Sequence, residues 1–165
     1  MGEQAAAGDT LFRSILAARP RLVTGVPDGM LSETIRLCSE SPEIPYIPCA
    51  REEECFGVAS GAAMAGERAV VLVQNAGLLN SIGAFATMAL RYQLPFVVFV
   101  TNRGVLADPN GYDIEKHQAF EASVVPLTHV FRFDAAKLPE DIATAAFRWA
   151  EAARRPAVIA LEKRL

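Results

Sequence analysis

The sequence predicts an α/β fold: a single doubly wound domain whose six-stranded, mainly parallel sheet carries helices on both faces. Three observations point there. Short β-rich runs alternate with longer segments of helical periodicity, the pattern of strand–helix–strand units. Two of the runs, "AVVLVQ" (69–74) and "PFVVFVT" (95–101), are almost wholly apolar, as central strands covered on both sides are. The 165 residues suffice to bury one core without disulfides or metal, so one domain is expected over 1–165, with its core at about 10–162.

Taken in order, an Ala-rich start leads into a helix over 8–19, and "RLVTGV" (21–26) is the first strand. Pro27 and Asp28 suit a turn and helix start, opening a helix over 28–39. "PYIPC" (45–49) is the second strand, followed by a helix over 51–66. After the strand at 69–74 comes a helix over 78–91, and after the strand at 95–101 a long loop, "TNRGVLADPNGYDIEKHQ" (101–118), rich in turn dipeptides. "THVFRF" (128–133) and "PAVIAL" (156–161) are the last strands. Between them a helix over 138–154 places Leu138, Ile142, Ala145, Ala146 and Trp149 on one core-facing stripe.

Composition excludes several functions. Net charge is −3 and the 16 basic residues are scattered, which leaves no electrostatic footprint for nucleic acid. Hydrophobic residues make up 52% and mean hydropathy is +0.22, high for a soluble domain and a sign of surface buried against a partner. Cys38, Cys49 and Cys55 are odd in number and lack C-x-x-C spacing, which fits reduced, buried thiols and no metal site. No secretory signal and no apolar run of ~18 residues is present, so a cytoplasmic protein without membrane contact is expected.

Ligands of open α/β sheets gather at the carboxyl ends of strands, here "GVPDG", "CAREEE", "QNAG" and "TNRG". Glu52, Glu53 and Glu54 open a helix where the macrodipole favours negative charge. Successive helical residues point about 100° apart, so at least one of the three turns toward whatever the helix packs on. The following "GVASGAAMAG" is dominated by small residues that permit close approach. A carboxylate at its start lies in a dry place, where it can serve as acid, base or hydrogen-bond donor; a solvated first-turn glutamate is the plain alternative. "QNAGLLNS" (74–81) ends a strand with two amides and Gly77 before a helix, a junction whose backbone N–H groups suit an anion or polar ligand edge, although Asn75 could simply cap that helix. Dinucleotide, P-loop and hydrolase motifs are absent.

Together, "TGVPDGMLSETI" (24–35), "REEECFGVASGAAMAG" (51–66), "VLVQNAGLLNSIGAF" (71–85) and "VTNRG" (100–104) resemble the pyrimidine-binding domain of thiamine diphosphate-dependent 2-oxoacid decarboxylases, nearest to the two-subunit sulfopyruvate and phosphonopyruvate branch. The resemblance implies that Glu52, nine residues ahead of Gly61, hydrogen-bonds the cofactor's aminopyrimidine and so promotes formation of the C2 ylid that attacks a 2-oxoacid. It further implies that Asp28 donates a proton, that Pro27, Gln74, Asn75 and Gly77 line the cofactor, and that Arg103, His117 and Gln118 meet the substrate, Arg103 gripping an anionic group. The family's G-D-G and Asn-Asn motifs for metal and diphosphate are missing. The chain therefore resembles an α subunit lacking the diphosphate-binding domain, with Mg2+ held by a β-type partner in a hetero-oligomer.

Two departures bear on substrate. The branch usually has Ser and Gly where this chain has Ala76 and Leu79, and Glu where it has Val105. A drier, reshaped pocket opens a carboligase of acyloin type as one alternative; a noncatalytic flavodoxin-like scaffold subunit is another.

Overall fold

A computed structural model describes residues 2–108 and 110–163. Its strands are β1 (Leu22–Gly25), β2 (Tyr46–Pro48), β3 (Ala69–Gln74), β4 (Val97–Thr101), β5 (Val130–Asp134) and β6 (Ala157–Glu162), in the sheet order β2-β1-β3-β4-β6-β5. Every pairing in this sheet is parallel. All six expected strands are present, and β3 and β4, the continuous apolar runs, lie at the centre of the sheet with Val70–Val73 and Val97–Val100 fully buried.

Because side chains alternate across a strand, each central strand feeds two cores. Val70, Leu72, Val97 and Phe99 pack on one face under α1 (Gly2–Ala18), α2 (Ser32–Glu40) and α7 (Ile142–Ala153). Val71, Val73, Val98 and Val100 pack on the other with Cys55, Phe56 and Ala59 of α3 (Glu52–Met64), Leu78 of α4 (Asn75–Asn80) and Phe120 of α6 (Ile114–Ser123). Trp149 is partly buried against the first core and meets Phe131 edge-on, with ring centroids 5.1 Å apart.

Three expectations need correction. The loop over 101–118 is shorter: a 3-10 turn (Gly111–Asp113) leads into α6, so His117 and Gln118 are helical. The helix expected at 78–91 begins at Asn75, directly off β3, and breaks at Ser81, continuing as α5 (Ile82–Ala84) and a π-helical stretch (Phe85–Leu90). The Ser81 and Thr87 hydroxyls donate to the carbonyls of Gly77 (2.8 Å) and Gly83 (2.7 Å), back-bonding of a kind that bends helices. Of the thiols, Cys38 and Cys55 are buried but Cys49 is partly exposed.

Gly25 ends β1 against its neighbour: a Cβ there would stand 2.6 Å from the Leu72 carbonyl oxygen and 3.0 Å from Leu72 Cβ. Backbone cannot step aside cheaply, so Gly25→Ala should lose about 1–3 kcal/mol of stability. Urea unfolding measures this; a loss below about 0.5 kcal/mol would mean that β1 and β3 part freely.

Candidate functional site

The strand order reverses between β1 and β3, and in open α/β sheets the crevice outside the carboxyl ends at such a point receives ligands. The register sets Gln74 of β3 beside Thr101 of β4, and the turn after β1 brings Asp28 to both. Asp28 Oδ2 accepts from Gln74 Nε2 (3.0 Å), and Oδ1 from the Thr101 hydroxyl (3.1 Å) and the Met30 N–H (3.0 Å). Three strand ends are thus joined through one half-buried carboxylate. Pro27, exposed beside it, lines with Asp28, Gly29, Ser32, Ile35 and Arg36 an open depression of about 400 Å3.

The three glutamates that open α3 diverge, each to a different use. Glu54 Oε2 accepts from the N–H groups of Ala50 (3.0 Å) and Arg51 (3.3 Å), satisfying donors at the helix start. Glu53 pairs with Arg51 at 3.5 Å on the surface. Glu52 is half-buried and lies against Gly77 in the first turn of α4: a Cβ on Gly77 would stand 2.6 Å from both Cδ and Oε1 of Glu52. Among the described residues its carboxylate has no hydrogen bond or ion pair. A half-buried carboxylate whose oxygens carry no hydrogen bond from the described residues can accept one from a ligand.

Gly77 is itself buried. Its lack of a side chain leaves the room that Glu52 occupies. Asn75 is fully buried and its amide is committed: Nδ2 donates to Asn102 Oδ1 (3.2 Å) and the Arg103 carbonyl (3.0 Å), while Oδ1 accepts from the Ala76 N–H (3.0 Å). It braces the ends of β3 and β4, with its side-chain amide engaged inside the protein.

Arg103 is engaged within the chain. Its guanidinium fork is filled by Asp108, Nε to Oδ2 at 2.6 Å and Nη2 to Oδ1 at 3.2 Å, with Asp113 at 3.6 Å. Asp108 further accepts from the N–H groups of Gly104 (3.1 Å) and Asn110 (3.2 Å). The loop after β4 is thereby tied to itself around the cation. His117 Nδ1 lies 3.3 Å from Asn102 Oδ1 and 3.9 Å from Glu121, whereas Gln118 is exposed on α6.

Thr101 and Asn102 were not singled out by the sequence, although they occupy the strand end that precedes Arg103. Asn102 is the hub of a buried network, its Nδ2 donating to Glu162 (2.9 Å) while its Oδ1 meets Asn75 and His117. Arg132 extends the network from Glu162 (3.4 Å) to Glu121 (2.6 Å). Their signal was position at a strand's carboxyl end rather than motif.

The Arg103 contact, with the two backbone donors, holds the Asp108 carboxyl at about 2, below its ordinary 3.8. A depressed carboxylate stabilises the fold above its unfolded value and loses that contribution as pH falls through the folded one. Asp108→Asn should therefore cost roughly 2 kcal/mol at pH 7, and the gap to the parent should close between about pH 4 and pH 2. Urea midpoints across that range measure it; a gap independent of pH would assign the loss to shape alone.

No group of three or more His, Cys, Asp or Glu side chains able to hold a metal occurs among the described residues, and no helix among them is long and apolar enough to cross a membrane.

The model of one family, described as thiamine pyrophosphate enzyme, N-terminal TPP binding domain, matches residues 6–123. Proteins named sulfopyruvate decarboxylase subunit alpha are similar to this chain. The one from Methanocaldococcus jannaschii is 37% identical over 112 residues, 64% of this chain and 66% of that protein. Its counterpart from Methanococcus maripaludis is 33% identical over 102 residues, 62% of this chain and 61% of that protein. The chain thus spans less than two thirds of these relatives' lengths. Among solved structures, 2-oxoglutarate:ferredoxin oxidoreductase from Magnetococcus marinus superposes with a TM-score of 0.73 at 13% identity, over 94% of this chain and 28% of that one. Benzoylformate decarboxylase from Polynucleobacter necessarius gives 0.66 at 20% identity, over 96% and 31%. At such identities these two speak for the fold alone.

Proposed function

The chain belongs to the family of thiamine pyrophosphate enzymes, as their N-terminal TPP binding domain, and on that premise we propose that it is the pyrimidine-binding α subunit of a heteromeric thiamine diphosphate-dependent decarboxylase. Its substrate is a 2-oxoacid of the sulfopyruvate or phosphonopyruvate kind. The names carried by its relatives support the reaction class. The observation that carries the reading is Glu52, the one carboxylate of three left unpartnered, set against Gly77.

The residues present fit the group. The free oxygens of Glu52, which lies against Gly77, would receive the edge of an aminopyrimidine, with Glu52 holding a proton shared with a ring nitrogen. When bound, the cofactor supplies a thiazolium ring that takes up the electrons released with carbon dioxide. Glu52 would set the protonation of that ring from a site partly shielded from water, where such control is stronger. Asp28, fixed by Thr101 and Met30, orients the Gln74 amide at the same sheet edge. Diphosphate and Mg2+ would be held by a β-type partner, a reading supported by the subunit alpha names of its relatives.

Decarboxylation is preferred over carboligation because Leu79, one basis of the carboligase alternative, packs on the apolar core. The test is release of carbon dioxide and free aldehyde from a 2-oxoacid panel, with the chain co-expressed with a G-D-G-bearing partner and supplied with thiamine diphosphate and magnesium. Acyloin as the main product would favour ligation. No turnover, with no cofactor binding by the complex, would favour the scaffold.

A further inference from the structure

Buried amides at the sheet's carboxyl edge fix the state of a histidine, and they do so from the backbone outward. Asn75 is the starting point. Its Nδ2 donates to the Arg103 carbonyl (3.0 Å), which can only accept, and its Oδ1 accepts from the Ala76 N–H (3.0 Å), which can only donate. The same Nδ2 reaches Asn102 at 3.2 Å, so the Asn102 atom facing it is the acceptor Oδ1. The other end of that amide agrees: Asn102 Nδ2 lies 2.9 Å from Glu162 Oε1, a carboxylate that also meets the Arg132 guanidinium at 3.4 Å. Turning the amide over would set nitrogen against nitrogen and oxygen against oxygen. Asn102 is buried, and unpaired polar groups are costly there. Its backbone is held as well, the N–H donating to the Leu161 carbonyl (2.9 Å).

His117 of α6 turns its Nδ1 to that same Asn102 Oδ1 at 3.3 Å. Glu121, one helical turn on, places Oε1 3.9 Å from the same nitrogen, and its carboxylate is paired with Arg132 at 2.6 Å. Both groups at Nδ1 are therefore acceptors. We propose that Asn102 is a positioning residue for His117: it holds the neutral imidazole in its Nδ1–H form, which makes Nε2 the basic nitrogen. This is the reverse of the form that an unconstrained histidine side chain prefers. Which ring nitrogen carries the proton is set by the hydrogen bond that the other nitrogen, or its own N–H, makes, and here that bond traces back through two amides to the backbone at the ends of β3 and β4. The His117 side chain is 27% exposed. Its outer nitrogen accepts a proton or a hydrogen bond from a hydroxyl group, and a carboxylate can pair with it only once the ring is protonated. For the 2-oxoacid reaction this makes His117 a proton acceptor toward a hydroxyl rather than a grip for the substrate's carboxylate; that consequence alone rests on the function proposed above.

The experiment is a long-range proton–nitrogen NMR correlation on the isotopically labelled full chain at about pH 8.5, well above the ordinary histidine value of about 6.5. The chain has two histidines, and His129→Gln, at an exposed position, leaves the signals of His117 alone. A protonated Nδ1 and an unprotonated Nε2 are expected. The tautomer ratio should be shifted about tenfold or more from that of free histidine, as a hydrogen bond of ordinary net strength shifts it. Asn102→Ala should return the ratio toward the free value, whereas Glu121→Gln should keep it within about twofold, since a partly exposed charge contributes little. A dominant Nε2–H form in the parent chain, an unchanged ratio in folded Asn102→Ala, or loss of the shift in Glu121→Gln would each overturn the proposal. If Asn102→Ala does not fold, the parent spectrum and Glu121→Gln still decide it. An assembled complex without turnover would count against the proposed function, while the spectrum, which needs neither cofactor nor partner, still decides the tautomer.

Discussion

Glu52→Gln should lower turnover of the assembled enzyme by about 10²–10⁴-fold, the range set by a positioned proton-transfer group, while leaving the fold almost as stable as before. The two halves of this expectation have separate causes. Glutamine keeps the length and shape of the side chain, so it still lies against Gly77, but it cannot hold or release the proton. Glu52 makes no hydrogen bond or ion pair within the described residues, so the fold gives up only its favourable place in the first turn of α3, at most about 1 kcal/mol. Steady-state kinetics with saturating cofactor and a urea titration measure the two. Near-normal turnover would remove Glu52 from the chemistry. A large fall in stability would make it a structural residue instead. The neighbours are controls: Glu53→Gln alters a surface pair with Arg51 and should change neither quantity appreciably.

The strands β3, β4 and β6 were the most legible, because burial on both faces demands nearly unbroken apolar runs. That the four motifs lie at strand ends was legible for the same reason. What could not be read was which polar groups the fold uses up internally. Asn75 and Arg103 look alike as candidates, polar residues following a strand. Yet the β3–β4 register puts Asn75 beside Asn102, and closure of the loop after β4 puts Asp108 into the fork of Arg103. Both depend on pairings of strand and loop that no local pattern encodes. The helix α6 was missed because Phe120 is its one fully buried apolar side chain and its other ties are polar, Asp113 to Lys116 (2.7 Å) and Asn102 to His117; hydrophobic periodicity has nothing to register there. The fate of the three glutamates lies between these cases. That one must turn inward follows from helix geometry, but the choice of Glu52 in the structure depends on Glu54 satisfying the helix start and on Gly77 facing the first position.

Gly77→Ala is expected to leave the protein folded and to cost about 10–100-fold in activity, because a misplacement of about 1 Å at a reacting group can cost that much. Alanine favours a helix over glycine by about 1 kcal/mol, so α4 gains from the change. The new methyl meets the side chain of Glu52 and not backbone, and a flexible side chain moves aside at little energetic expense. What is lost is position: the carboxylate swings off the surface of α4 and away from the place where it is to meet a ring nitrogen. A structural role for Gly77 would instead show as a lower urea midpoint with activity tracking the folded fraction. The double variant separates the two. If Gly77 acts only by seating Glu52, adding Gly77→Ala to Glu52→Gln should reduce turnover little further, a departure from additivity expected of residues in contact. Fully additive losses would mean that the glycine serves the site in some way independent of the acid beside it.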